Sequence, residues 1–317
     1  MASPVASAHA SLDGGISRHP DYYFTDGSVV LIVESTALRI HQSILGRHSD
    51  VFSGMWDVPQ PTSMESYDGC PTVVLPDSLD DFVDVVSVLY DPFLHSHFDK
   101  LDSQTNLKEL ISFISGILRI STKYNMQQIR AKCISIIQDK FPSTLAGCDD
   151  VLKRKLQYRP SEIDRIIPLA RETNVPRVLP WAFYLCAQMA VSELLQNAAL
   201  SWKDKALCLA GKERLWEMQK TVTHTFLLNF QNSPQCITGC KVRSPDTFKA
   251  AMDAIEVLRL TPHALEEYTD WPGLRLCIKC QIYVQTLHRE GREKVWQLLP
   301  TFFHLGTWDE IFKDQSC

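Results

Sequence analysis

Residues 41–56 read HQSILGRHSDVFSGMW, and this stretch decides the fold of the N-terminal half of the chain. Its apolar and aromatic side chains recur at three- and four-residue steps, at Ile44, Leu45, His48, Phe52, Met55 and Trp56. Such spacing places side chains on one stripe of a helix. Ser49 interrupts the stretch and is a favourable N-cap for the residues after it. We therefore predict two short helices that meet at a kink at Ser49.

The residues before this stretch have strand periodicity. Residues 29–33 (VVLIV) form a continuous aliphatic run, which predicts a buried strand. Residues 34–36 turn the chain, and residues 38–41 alternate as a returning strand. Residues 71–76 (PTVVLP) predict a third short strand after a loop that contains Pro59 and Pro61.

The chain after the third strand has helical periodicity. Ser78 begins a capping-box pattern, and Pro92 stops the helix that follows. The predicted buried stripe of this helix is Leu79, Phe82, Val83, Val86, Leu89 and Tyr90. Apolar spacing predicts two more helices, over residues 107–118 and 126–137, the second ending before Pro142.

This order of elements and the spacing in residues 41–56 resemble the BTB/POZ domain. The matching signature residues are His41, Leu45, Ser49, Phe52 and Met55. The resemblance covers about residues 20–141, and it is closest to the expanded BTB family of mushroom-forming fungi. The expected fold is an α+β BTB/POZ domain of short strands and helices, followed by an all-α region.

The resemblance implies a non-enzymatic protein-interaction module. BTB domains self-associate, or dock to a cullin scaffold as substrate adaptors of ubiquitin ligases. The candidate contact residues are Ile44, His48, Phe52 and Tyr90, and a core position is the competing interpretation for each. In the family, a histidine at the position of His41 packs and hydrogen-bonds where the strand meets the helix.

Four segments are expected from composition and pattern. They are a disordered tail (1–18), the BTB/POZ domain (19–141), a helical BACK-like region (142–235) and a helical cysteine-bearing region (236–317). Helices are predicted over residues 162–172, 180–198, 201–219, 245–260 and 278–298, with no strand among them. Pro168 should kink the first of these helices or mark its real start.

Two pairs of cysteines distinguish the C-terminal region. Cys236 and Cys240 lie in a loop-like stretch, and Cys277 and Cys280 lie where a helix should begin. Two close pairs suit a tetrahedral structural zinc site, with His224, His288 and Cys208 as spare ligands. Buried, metal-free thiols are the alternative, because free cysteine is among the most buried residue types. The expected cofactor is thus none, or one structural zinc.

An aromatic pattern follows the cysteines. It contains Arg292, Lys294, Trp296, Leu299, Pro300 and Phe303, and the fungal BTB proteins have a similar pattern after paired cysteines. The side chains of Trp296, Phe302, Phe303, Trp308 and Phe312 can form either an exposed partner surface or part of the helical core. We expect core packing.

Familiar catalytic patterns are missing from the sequence. It has no glycine-rich phosphate loop, no Gly-x-Ser-x-Gly and no His-Glu-x-x-His. The histidines His95 and His97 are expected to be solvated, and Cys133 lies on an apolar stripe. The pairs Asp80-Asp81 and Asp149-Asp150 are expected at helix starts, where acidic residues complement the helix dipole. We do not expect an enzyme.

Charge and hydropathy limit the partners and the compartment. The net charge is −5, and acidic and basic residues balance between Cys236 and Cys280, so we do not expect a nucleic-acid-binding face. The alternative function is a BTB-containing transcriptional or nucleic-acid-linked regulator with a zinc-stapled C-terminal region. No membrane span or signal peptide is expected, which predicts a location in the cytoplasm or nucleus.

Overall fold

A computed structural model describes residues 15–58, 66–90, 98, 106–154, 158, 160–240 and 262–313. The chain divides into two compact units, the first ending at Ile134 and the second beginning at Ser135. Outside the described residues lie the predicted loop at Pro59 and Pro61, Pro92, His95, His97 and the predicted helix 245–260.

The first unit contains a five-stranded sheet. The strands are β1 (Ser17–Tyr23), β2 (Val29–Val33), β3 (Thr36–Ile40), β4 (Ser66–Tyr67) and β5 (Cys70–Leu75). Their order in the sheet is β1-β3-β2-β5-β4. The predicted hairpin is confirmed, because β2 and β3 pair antiparallel with Val29 opposite Ile40. Every residue of β2 is buried, as the continuous aliphatic run predicted.

The two outer strands, β1 and β4, were not predicted. β1 pairs parallel to β3 with an irregular register between Arg18 and Tyr23. It contains Pro20 and is largely exposed, so it lacks the aliphatic pattern by which a buried strand is recognised. This strand includes Ser17 and Arg18, the last two residues of the predicted tail. Residues 1–14 lie outside the described part of the chain.

The predicted pair of short helices is confirmed. Helix α1 (Gln42–His48) ends at Ser49, and helix α2 (Asp50–Asp57) begins there. The Phe52 N–H donates to Ser49 Oγ at 3.1 Å, which is the expected N-cap. The same hydroxyl donates to the Tyr124 carbonyl at 2.5 Å. Ser49 thus joins α2 to a residue far along the chain.

Three longer helices complete the first unit: α3 (Leu79–Tyr90), α4 (Leu107–Lys123) and α5 (Gln127–Lys140), the last of which continues into the second unit. They confirm the predicted elements, including the start of α3 at Ser78, whose Oγ accepts the Asp81 N–H at 3.5 Å. Cys133 on α5 is fully buried, as expected, and burial raises the pKa of its thiol to about 12.

The buried stripe of α3 differs from the prediction. The buried residues are Phe82, Val85, Val86 and Val88, whereas Leu79, Val83, Leu89 and Tyr90 are half-buried. The reason is the close packing of α3 on α4. A Cβ at Gly116 of α4 would lie 2.9 Å from the Asp81 Cα, so glycine permits this approach.

The second unit has no strand among its described residues, which supports the all-α prediction for this region. Its helices are α6 (Leu145–Lys153), α7 (Pro160–Glu172), α8 (Leu179–Ala187), α9 (Val191–Gln196), α10 (Trp202–Met218), α11 (Thr225–Leu228), α12 (Ile278–Phe302) and α13 (Trp308–Lys313). Short 3₁₀ turns cover Pro176–Val178 and Pro272–Leu274, and a π-helical segment covers Gln219–Thr223.

Several helix predictions in the second unit need correction. Helix α6 was not predicted. Pro168 lies inside α7, so of its two predicted roles the helix start is excluded. The predicted helix 180–198 is two helices, α8 and α9. Lys212 is buried and donates from Nζ to the Met189 carbonyl at 2.7 Å, which satisfies the backbone at the break. A lysine from a different helix therefore stabilises the interruption.

The C-terminal aromatic residues pack into the helical core, as expected. Trp296, Phe302, Phe303 and Trp308 are buried, and Phe312 is half-buried. The rings of Trp296 and Trp308 stack at 5.4 Å, and the Trp308 Nε1 donates to the Trp296 carbonyl at 2.7 Å. These residues hold α13 against α12.

None of the described helices combines the length and the apolar composition that a bilayer-spanning helix needs.

The burial of Phe52 gives a test of the first unit. Its ring is 1 % exposed and stacks on Tyr124 at 4.6 Å. Phe52→Ala should lower the free energy of unfolding by about 3–5 kcal/mol, because it removes contacts and leaves a cavity. Val51→Ala, one residue earlier and 45 % exposed, should change it by less than about 0.5 kcal/mol. Denaturant titration measures both variants, and a near-neutral Phe52→Ala would contradict this packing.

Candidate metal centre

The four predicted cysteines lie together in the second unit. Their Sγ atoms are all within 4.8 Å of one another, and those of Cys236 and Cys277 are 3.9 Å apart. Cys236 and Cys240 come from a loop in which Gly239 has a φ of +60°, a conformation that suits glycine. Cys277 is the N-cap of α12, and Cys280 lies in its first turn. The fold therefore joins two pairs that are distant in sequence.

Backbone and hydroxyl donors surround the sulfur atoms. The Cys277 N–H donates to Cys240 Sγ at 3.3 Å, and the Ser233 N–H donates to Cys280 Sγ at 3.4 Å. The hydroxyl oxygen of Thr238 lies 3.5 Å from Cys236 Sγ and 3.2 Å from Cys240 Sγ. Donors around a thiol stabilise its thiolate form, which is the form that binds metal.

The local environment acts differently on the individual thiols. The hydrogen bond from Thr238, with help from the Cys240 backbone, lowers the pKa of Cys236 to about 5. The backbone N–H of Cys280 is the main cause of a lowered pKa at Cys277. Burial instead raises the pKa of Cys280 to about 12. A cation at the centre would offset the cost of ionising this buried thiol.

The donor set fits a tetrahedral zinc ion. Four sulfur ligands about 2.3 Å from a tetrahedral Zn²⁺ would lie about 3.8 Å from one another. The 3.9 Å between Cys236 and Cys277 agrees with this spacing. None of the described cysteines forms a disulfide. Four thiolates leave no open position for substrate, so a metal here would be structural.

The spare ligands predicted from the sequence have other partners. His288 Nε2 accepts the Tyr268 N–H at 3.0 Å, and its Nδ1 donates to the Thr223 carbonyl at 2.7 Å. His224 Nδ1 lies 2.8 Å from Thr223 Oγ1. The third candidate, Cys208, is fully buried on α10. Among the described residues, the candidate metal ligands are therefore the four paired cysteines.

His41 hydrogen-bonds in the first unit at the junction where β3 meets α1. Its backbone N–H donates to the Tyr90 hydroxyl at 2.8 Å, and its Nδ1 lies 3.0 Å from the same oxygen. The ring of Phe24 stacks on Tyr90 at 4.9 Å.

Among the candidate contact residues, Ile44, His48 and Tyr90 are half-buried, whereas Phe52 is buried and inaccessible to a partner.

The two acidic pairs both lie in helices. Asp80 and Asp81 lie in the first turn of α3, as predicted. Asp149 and Asp150 do not begin a helix, because they lie well inside α6. Asp149 forms an ion pair with Arg292 of α12, which sequence patterns could not reveal.

A groove of about 940 Å³ lies beside α12. Its apolar lining includes Leu145, Ala146, Trp271 and Ile282. Its charged lining is of both signs and includes Asp149, Lys153, Glu267, Arg289, Arg292 and Glu293. Arg292 is already held by Asp149 and donates from Nε to the Leu265 carbonyl at 2.8 Å. The charged lining of this groove is therefore balanced in sign.

Comparisons with protein-family models, curated proteins and solved structures find no match to this chain. The BTB/POZ resemblance therefore stays a prediction from the sequence pattern.

The two buried histidines make the second unit sensitive to acid. Burial lowers the pKa of His224 to about 3 and also lowers the pKa of His288. In the unfolded chain a histidine titrates near pH 6.5, so below about that pH the unfolded chain binds protons that the folded unit excludes. The stability contributed by the neutral imidazoles is therefore complete above about pH 6.5 and decreases as the pH falls.

Lowering the pH from 7 to 5 should reduce the free energy of unfolding by about 2 kcal/mol through His224 alone, and His288 acts in the same direction. Tryptophan fluorescence during denaturant titration measures this, because every tryptophan except Trp56 lies in the second unit. In His224→Phe, the loss in the free energy of unfolding between pH 7 and pH 5 should be smaller than in the wild type by about 2 kcal/mol. An undiminished difference would show that His224 does not titrate in this way.

Proposed function

We propose that this chain is a non-enzymatic protein-interaction protein. In this proposal its first unit is a BTB/POZ-type module, and its helical second unit carries one structural zinc. The module self-associates or docks to a cullin scaffold as a substrate adaptor. The compartment in this proposal is the cytoplasm or nucleus.

The observation that carries the proposal is the chain order around Ser49. A hairpin leads into α1 and the Ser49-capped α2, then β5 pairs parallel to β2, and the α3 to α5 helices follow. This is the order that the sequence resemblance implies. The contacts of His41 with Tyr90 also agree with the packing role implied for this signature histidine.

In this proposal a partner binds the candidate contact residues that remain accessible. Phe52 is buried, so the remaining candidate contacts are Ile44, His48 and Tyr90. Ile44 and His48 are one helical turn apart on α1 and are both half-buried. Half-buried side chains on a rigid helix can bury further area without reorganising the fold.

Association of the full chain tests this part of the proposal. Light scattering should detect a dimer, or a titration with a cullin N-terminal domain should saturate. Ile44→Ser should weaken that association about tenfold if the side chain is a central contact. Val74→Ser is the control, because Val74 is 60 % exposed on β5, outside the helical face. A monomer that binds no cullin domain would contradict the proposal.

The zinc is supported by the clustering of four thiols and by the N–H donors to their sulfur atoms. Bound zinc would join the loop that contains Cys236 to the start of α12. Such sites stabilise the fold, because the unfolded chain offers no preformed set of four ligands.

Elemental analysis of the full chain purified without chelator should find about one zinc per chain. Cys236→Ala should lose the metal and lower the thermal midpoint, because three remaining thiolates bind zinc more weakly. Cys133→Ala is the matched control, since it removes a buried thiol from the first unit. Equal zinc contents in the two variants would refute the site.

A further inference from the structure

Two of the four clustered thiols lie close enough to react with each other. The Sγ atoms of Cys236 and Cys277 are 3.9 Å apart, although the two residues are 41 positions apart in the sequence. A disulfide places its sulfur atoms about 2 Å apart, so a shift of about 1 Å by each side chain would join them. Both side chains are half-buried, so a small solute can reach them from solvent. This pair therefore combines the proximity and the access that thiol oxidation requires.

The pairs within one segment are less suited to this reaction. Cys280 is buried, and its Sγ accepts the Ser233 N–H at 3.4 Å. In the loop, the hydroxyl oxygen of Thr238 lies within 3.5 Å of the sulfur atoms of both Cys236 and Cys240. A link between these two sulfur atoms would have to displace that hydroxyl. The pair that spans the loop and the helix is therefore favoured.

Cys240 is the remaining alternative partner for Cys277. Its Sγ accepts the Cys277 backbone N–H at 3.3 Å, and a covalent bond between these two residues would break that hydrogen bond. A link through Cys236 leaves the hydrogen bond in place. The loop then keeps its contact with the start of α12.

The other described cysteines are protected from an external oxidant. Cys133, Cys148, Cys186 and Cys208 are fully buried, and Cys70 is 7 % exposed. Buried structural thiols react slowly, because the oxidant cannot reach the sulfur atom and burial disfavours the reactive thiolate. Among the described thiols, oxidation is thus directed to the cluster.

We propose that Cys236 and Cys277 form a reversible oxidation site, in which a hydroperoxide links them as a disulfide and discharges the zinc. This inference rests on the proposed structural zinc for the metal that is released, and it adds regulation to that site. The oxidant is a solute of the hydroperoxide class, and its simplest member is hydrogen peroxide.

The reaction takes two steps. One thiolate first attacks the hydroperoxide: an S–O bond forms, the O–O bond breaks, and the leaving oxygen departs with the electron pair, which gives a sulfenic acid. The second thiolate then attacks the sulfenic sulfur, so that the S–S bond forms, the S–O bond breaks and hydroxide leaves. The two sulfur atoms lose two electrons in total, and the two peroxide oxygens gain them. Zn²⁺ keeps its oxidation state and dissociates, because two thiolates hold it more weakly than four.

The disulfide would replace one effect of the zinc and remove another. Both the metal and the disulfide join the loop that contains Cys236 to the start of α12. Oxidation therefore keeps the loop attached, but it frees the thiolates of Cys240 and Cys280 from the metal. A dithiol reductant reverses the reaction by thiol–disulfide exchange, after which the four ligands can bind zinc again.

The test treats the full-length chain, purified without chelator, with hydrogen peroxide, and a chromogenic chelator measures the zinc that is released. Trypsin digestion and mass spectrometry then locate the disulfide, because cleavage after Lys279 separates Cys277 from Cys280. The expected product is peptide 221–241 linked to peptide 276–279, with about one zinc released per link. Dithiothreitol and added zinc should restore the metal content.

Two variants of the same loop identify the sulfur atom that reacts. Cys236→Ser and Cys240→Ser each remove one candidate ligand, so they are matched in their effect on the metal site. Cys240→Ser should still form the link to peptide 276–279, whereas its yield should fall about tenfold or more in Cys236→Ser. Equal yields in the two variants, or a wild-type disulfide that uses Cys280, would overturn the proposal.

The zinc content before oxidation separates this proposal from the metal site. Zinc that is bound but is not released by hydrogen peroxide would support the metal site and overturn the oxidation site. A zinc-free chain that forms the expected link would refute the metal site and support the reactive pair of thiols.

Discussion

The first unit depends on the two hydrogen bonds of the Ser49 hydroxyl. The hydroxyl oxygen accepts a hydrogen bond from the Phe52 N–H, which caps the start of α2. The hydroxyl group also donates a hydrogen bond to the carbonyl of Tyr124 at the end of α4. Ser49 is 1 % exposed, so losing either partner would leave a buried polar group unsatisfied. Helix α2 is therefore fixed to the end of α4, and the Phe52 ring is brought against Tyr124.

Buried cations have a comparable role in the second unit. Lys205, Lys212 and Arg292 are all buried, and they donate to the backbone carbonyls of Leu195, Met189 and Leu265. Long side chains suit this role because their stems pack against apolar residues while their charged ends reach a carbonyl. Both lysines lie on α10 and fix the chain where α8 ends and α9 runs, which explains why the break between these two helices was not predicted.

The sequence predicted the four ligands of the candidate metal centre but not the groups that surround them. Residue type and pair spacing pointed to Cys236, Cys240, Cys277 and Cys280, and the structure brings these four together. The sequence also offered His224 and His288, whose ring nitrogens are occupied by Thr223 and Tyr268. Spacing alone could not exclude His288, because the backbone groups that occupy its ring come from segments distant in sequence, whereas His224 pairs with the hydroxyl of its neighbour Thr223. A local sequence pattern also could not predict the exposure of Ile278 and Ile282.

The sequence by itself determined the buried strand 29–33, the hairpin, the helix pair at Ser49 and the helices that follow, because periodicity and caps act within one or two turns of chain. Only the tertiary structure decided the edge strand β1, the buried stripe of α3 and the break between α8 and α9. β1 depends on pairing with β3, and the stripe of α3 on close approach at Gly116. The break is held by a lysine from α10. Each of these features is stabilised by groups distant in sequence, so its free energy is not encoded in the local residues.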